Sequence, residues 1–145
     1  MLPVYETEGE EYKGPRLLMA RGRDLVAPDM LAFRAGRILW IEAKHKTVFS
    51  WHRKTSRWVT GIDMHQYSQY QQVAKVHPIP LWLLFLHQQS VSDGPGPCPT
   101  GLYGQRIDVL KGCENHRHEN WGKSGMVYWG ESSLKKMAEL RDMGL

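Results

Sequence analysis

The chain has 145 residues, 41% hydrophobic and 23% charged, a composition that suits one soluble globular domain, 1–145, with a core of its own. No apolar run reaches the length of a membrane span, and the opening MLPVYETEGEE lacks the basic-then-apolar order of a secretory signal. Two cysteines, Cys98 and Cys113, make no disulfide framework, so residence in a reducing cytoplasm is expected.

The net charge of +4 hides an asymmetry, because residues 1–11 hold four glutamates and no Lys or Arg. Residues 34–57 carry seven Lys and Arg against the single acid Glu42. Such a basic surface suits a polyanion, nucleic acid first; a merely solubilising surface is the plainer reading.

In chain order, RDLVAPDMLAF and RILWIEAK flank RAGR, whose Ala-Gly predicts a tight turn and an antiparallel hairpin. Pro28 marks a bend or an edge just before Asp29. TVFSWHR and RWVTGI, joined by KTS, predict a second hairpin. Asp63 is placed to cap a helix, MHQYSQYQQVAKV, with Tyr67, Tyr70 and Val73 or Ala74 at helical spacing, and His77-Pro78 ends it. IPLWLLFL reads as a strand buried on both faces. SVSDGPGPCPTG is a loop, since Gly and Pro oppose regular structure. QRIDVL and GMVYW are expected as strands, and ESSLKKMAELRDM as a C-terminal helix. The order implies a mixed sheet with helical cover, an α/β or α+β domain.

The first hairpin carries the charges that need explaining. Glu42 and Lys44 are one residue apart, so on a strand they leave from the same face. Counting outward from Ala35-Gly36 puts Asp29 and Glu42 at the same end of the ladder. Two carboxylates brought that close repel unless a cation separates them. Hard oxygen donors of this kind suit Mg²⁺ or Mn²⁺, which offsets charge on a phosphoryl oxygen and activates water, while a neighbouring lysine orients the nucleophile. These are the parts for hydrolysing a phosphodiester. The plainer reading is a surface hairpin with an incidental Glu–Lys pair.

PD at 28–29, then EAK at 42–44 behind the apolar ILWI, resembles the PD-(D/E)xK nuclease superfamily across residues 24–76. The spacing is similar to that of the archaeal-type Holliday junction resolvases, small homodimeric enzymes of archaea and some bacteriophages. The resemblance implies a restriction-endonuclease-like core: a mixed central sheet flanked by helices. It implies that Asp29 and Glu42 hold the metal and that Lys44 serves the nucleophile. It also implies a polar catalytic residue on the following helix, for which Gln66 is preferred over Gln69, Gln71 and Gln72. The substrate implied is DNA, four-way junctions above all. Family members usually begin with a helix that aims a glutamate into the site. Here Glu6, Glu8, Glu10 and Glu11 share a short run weakened by Gly9, and none is assigned.

The second hairpin gathers Trp51, His52, Arg53, Lys54, Arg57 and Trp58 around one turn, giving the domain a protruding basic hairpin. Arg53, Lys54 and Arg57 are expected on the DNA backbone, with Arg21 and Arg23 extending that surface, while the tryptophans are partly structural. Cys98, Cys113, His116 and His118 have an irregular spacing for zinc, and unbound thiols beside a polar loop are the preferred reading. His65 and His87 receive no role. No nucleophile-elbow, Walker or dinucleotide motif occurs. Two alternatives stay open. One is a nuclease of the same core acting on nicked, flapped or linear DNA in repair, replication or restriction. The other is a non-catalytic DNA-binding module.

Overall fold

A computed structural model describes residues 3–4, 16–17, 25–91 and 94–145. Three two-residue strands, β1 (Pro3–Val4), β2 (Arg16–Leu17) and β3 (Leu25–Val26), pair in antiparallel order. The predicted first hairpin follows as β4 (Met30–Arg34) and β5 (Arg37–Lys46), with Arg34 opposite Arg37. Ala35 and Gly36 both take positive φ, +47° and +74°, the two-residue turn whose twist matches that of the strands it joins. The second hairpin is β6 (Ser50–His52) and β7 (Arg57–Asp63), with Trp51 directly opposite Trp58.

Helix α1 (Met64–Val76) has the predicted bounds. Asp63 caps it by accepting from the His65 N–H at 2.9 Å, and it also accepts N–H groups from Lys123 and Ser124 of a distant turn. These bonds, led by that from the Ser124 hydroxyl, hold the Asp63 carboxyl below its usual range.

Then come β8 (Leu81–His87), β9 (Gly101–Arg106), α2 (Ile107–Lys111), β10 (Glu114–His118), β11 (Met126–Gly130) and β12 (Lys135–Ala138). The larger sheet runs β12-β9-β8-β5-β4, with β5 and β8 parallel and its other pairs antiparallel; a second, antiparallel sheet runs β10-β11-β7-β6. The domain is therefore α/β with a mixed sheet, and few helices accompany it. The parallel β5–β8 pair needs a crossover, which the second hairpin and α1 supply.

The core lies where α1, α2 and the inner face of the second sheet meet the larger sheet. Tyr67, Tyr70 and Val73 of α1 are buried with Leu83, Phe85, Leu110 and Trp129. Tyr67 packs edge-on against Trp129 at 5.1 Å, and the Trp129 indole N–H donates to the Leu110 carbonyl at 2.9 Å. Burying such aromatics contributes about 2–3 kcal/mol each, provided their polar atoms find partners.

Three expectations need correction. In β8 only Leu81, Leu83, Phe85 and His87 are buried, while Trp82, Leu84 and Leu86 are half-buried on the opposite face. Described helices cover one face of the sheet, so burial alternates. QRIDVL is split: strand pairing ends at Arg106, and Ile107 and Leu110, three apart, turn into the core as one face of α2. Residues 131–143 form no α-helix. A 3₁₀ turn (Glu131–Ser133), the edge strand β12 and a second 3₁₀ turn (Leu140–Met143) replace it. Of the helically spaced Leu134, Met137 and Leu140, only Leu134 is buried in this arrangement. β9 instead offers an open edge, and Lys135 and Lys136 pair with Gly104 and Tyr103, leaving exposed lysines on the new edge.

The basic hairpin exposes its turn residues and also packs against neighbours. It forms one side of the second sheet, and its Thr55 hydroxyl donates to Asn115 Oδ1 at 3.2 Å. The Gly/Pro loop packs back on it: a Cβ at Gly94 would lie 2.6 Å from Trp58 Cζ2.

Candidate active site at the first hairpin

Pro28 is buried and Asp29 is exposed, one residue before β4 begins. The Met30–Ile41 pair is the last formal rung of the ladder, and the two acids extend it with their side chains. The Asp29 N–H donates to Glu42 Oε2 at 3.2 Å, and the Ala43 N–H donates to Asp29 Oδ2 at 3.0 Å. Each carboxylate thus binds backbone of the other strand, which fixes both at one spot.

Glu42 is 4% exposed and faces α1. Its Oε1 accepts from Lys44 Nζ at 2.5 Å and from the Tyr70 hydroxyl. Lys44 Nζ also donates to that hydroxyl at 3.2 Å and stands 5.5 Å from the Tyr70 ring centre. A carboxylate this deeply buried requires such partners. Burial, followed by the Glu42 hydrogen bond and charge, pushes the Tyr70 phenol well above the usual tyrosine range, so it remains a proton donor. One strand step past Lys44, half-buried Lys46 leaves from the same face. Burial first, then the charge of Lys44, holds its ammonium below the ordinary lysine range.

The expected convergence of Asp29, Glu42 and Lys44 is thus present. Gln66 does not join it: it is exposed one turn before Tyr70, and among the described residues no hydrogen bond links it to the site. The helix contributes Tyr70 instead. Sequence reading treated this residue as core only. The available signal was its hydroxyl, since a buried tyrosine O–H needs an acceptor. Tyr67 obeys the same rule, donating to Glu114 Oε1 at 3.0 Å. Lys46 was missed because its charge was counted only in the basic surface.

Arg53 and Lys54 are exposed on the turn of the second hairpin, and Arg57 is exposed at the start of β7. Arg21 and Arg23, like the N-terminal glutamates, lie outside the described residues. Trp51 and Trp58 pack edge-on at 5.2 Å. The four zinc candidates are spread out. Cys98 is buried and its thiol donates to the Gln89 carbonyl at 3.3 Å, Cys113 donates to the Val109 carbonyl at 3.2 Å, and the two histidines lie on β10.

Among the described residues no three His, Cys, Asp or Glu side chains stand together as metal ligands. The donor chemistry of the hairpin still fits a hard divalent ion. Asp29 Oδ1 carries no hydrogen bond among the described residues, and Glu42 Oε2 accepts only one. Mg²⁺ keeps several waters and commonly takes one or two protein carboxylates.

The site therefore defines an α/β domain presenting a carboxylate pair, a lysine and a tyrosine on adjoining strands and helix. The chain matches no protein-family model, no curated protein and no solved structure. No described helix is long and apolar enough to cross a membrane.

Proposed function

We propose that this protein is a Mg²⁺- or Mn²⁺-dependent DNA endonuclease of the PD-(D/E)xK type that resolves four-way junctions in recombination and repair. The observation that carries the reading is the interlocked hairpin, in which Asp29 and Glu42 each accept the other strand's backbone N–H while Lys44 pairs with Glu42. In this reading Asp29 and Glu42 hold the divalent ion, which when bound supplies a Lewis acid that offsets charge on a phosphoryl oxygen. Lys44 orients the attacking water. Tyr70 donates to Glu42 and positions it. The basic hairpin, Arg53, Lys54 and Arg57, binds flanking phosphates.

A two-fold dimer belongs to this proposal, because symmetric incision of a junction needs two sites in fixed relation. In this reading the half-buried face of the larger sheet around Trp82 supplies the interface.

One observation favours the non-catalytic module: Lys44 and Tyr70 both donate to Glu42 Oε1, an oxygen of the carboxylate the nuclease reading needs for a metal. A Mg²⁺ titration of cleavage on a labelled junction beside a linear duplex separates the readings. Junction-selective, Glu42-dependent cutting supports resolution, and unselective cutting supports a nuclease of the same core. Tight binding without cutting supports the module.

A further inference from the structure

The outer face of the second sheet holds a feature that the nuclease reading does not use. The β7–β11 register sets Tyr128 opposite Gly61, where an added Cβ would lie 2.7 Å from Tyr128 Cδ1. The missing side chain lets the phenol lie across β7. His116, opposite Tyr128 on β10, stacks on that ring at 4.5 Å with 5° between planes. His52, from the far edge strand, stacks in turn on His116 at 3.7 Å and 9°. Edge strands of a flat four-stranded sheet stand about 14 Å apart, yet side chains of these two edges meet over one column of rings.

Beside the column lies a cavity of about 160 Å³, lined in part by Ser50, Trp51, His52, His118 and Trp121. Trp121 is 59% exposed and leans on His118, ring centres 4.6 Å apart. His118 Nδ1 is buried with no hydrogen-bond partner among the described residues. A metal is the wrong occupant for the column. Stacked imidazoles turn their faces to each other, whereas ligation needs ring nitrogens aimed in-plane at one point.

From this arrangement we infer that the cavity receives a single unpaired nucleobase of DNA, stacked on its aromatic walls. The surroundings match that occupant. Exposed Arg53 and Lys54 directly follow His52, and exposed Lys123 follows Trp121 by two residues, placing cations where the flanking phosphates run. Aromatic platforms beside a cationic rim are how proteins hold single strands. The inference takes its source of the base, DNA, from the proposed function; the base pocket itself does not require cleavage chemistry.

The test is anisotropy binding in EDTA, where cleavage is silent. The probes are a short labelled single strand, an abasic strand of equal length, a blunt duplex and free deoxynucleotides. The single strand should bind at least about 10-fold tighter than the abasic strand or the duplex. Trp121→Ala and His52→Ala should erase that difference, with the salt slope unchanged because the phosphate contacts persist. Trp121 is exposed, so its variant tests the pocket even where His52→Ala disturbs the fold, and circular dichroism checks both. Equal affinity for abasic and base-bearing strands, indifference to Trp121→Ala, or binding of free nucleotides alone overturns the inference. Mg²⁺-dependent cutting measured separately keeps the two readings apart: its loss with base binding intact sinks only the nuclease proposal.

Discussion

Replacing Lys44 by Met leaves the Glu42 carboxylate, 4% exposed, with only the Tyr70 hydroxyl and the Asp29 N–H among the described residues. Breaking a buried ion pair from one side costs about 3–5 kcal/mol. The Lys44 side chain keeps 19% exposure, which places this case near the lower limit, about 3 kcal/mol. Glu42→Gln preserves shape and strands only an ammonium that can turn to water, at about 1 kcal/mol. The double variant strands no charge and should cost about 2 kcal/mol, so the pair couples by about 2 kcal/mol. Urea unfolding at neutral pH, read as midpoint shifts at constant slope, measures all three. Additivity within about 0.5 kcal/mol would refute the buried pair. Cleavage gives the second readout: all three variants should be inactive, including the double variant, which folds better than Lys44→Met. If that variant still cuts DNA, the catalytic assignment is wrong.

Tyr70→Phe removes one hydrogen bond to a carboxylate and should lower stability by about 1.5–3 kcal/mol. It should weaken cleavage 10- to 100-fold on order of magnitude, with a raised Mg²⁺ requirement in the titration, because Lys44 still holds Glu42. Acid sensitivity should come from His87, which is fully buried against Phe49 at 3.7 Å, with neither ring nitrogen hydrogen-bonded among the described residues. Burial pushes its pKa down from 6.5 to about 4, with the Val48 backbone opposing the shift and the charges of Lys46 and His45 adding to it. The unfolded chain therefore binds the proton first. Stability from this group is complete above pH 6.5, falls by about 1.4 kcal/mol per pH unit below that, and levels off near pH 4, about 3 kcal/mol lower. His87→Leu should flatten that window in pH-dependent urea melts. Substituting Arg53, Lys54 and Arg57 each by Ala should weaken DNA binding evenly across sequences and reduce the salt slope by about 1 per lost phosphate contact. An unchanged slope removes the hairpin from the interface.

Local chemistry was legible in the sequence wherever neighbours along the chain decide the outcome. Ala35-Gly36 sets a two-residue turn, Asp63 caps α1 and His77-Pro78 ends it, and a fixed strand period then puts Asp29 opposite Glu42 and beside Lys44. Pairing across the fold was not legible. Residues 131–143 carry helical spacing, yet Lys135–Ala138 becomes an edge strand pairing with the open backbone donors and acceptors of β9. Nor does spacing alone select Tyr70 over Gln66, one helical turn apart on α1. That choice follows from how the crossover seats the helix on β5, bringing a buried hydroxyl to the one carboxylate that needed a donor. The column of Tyr128, His116 and His52 likewise joins three strands far apart in sequence, and a side chain at Gly61 would block the Tyr128 ring.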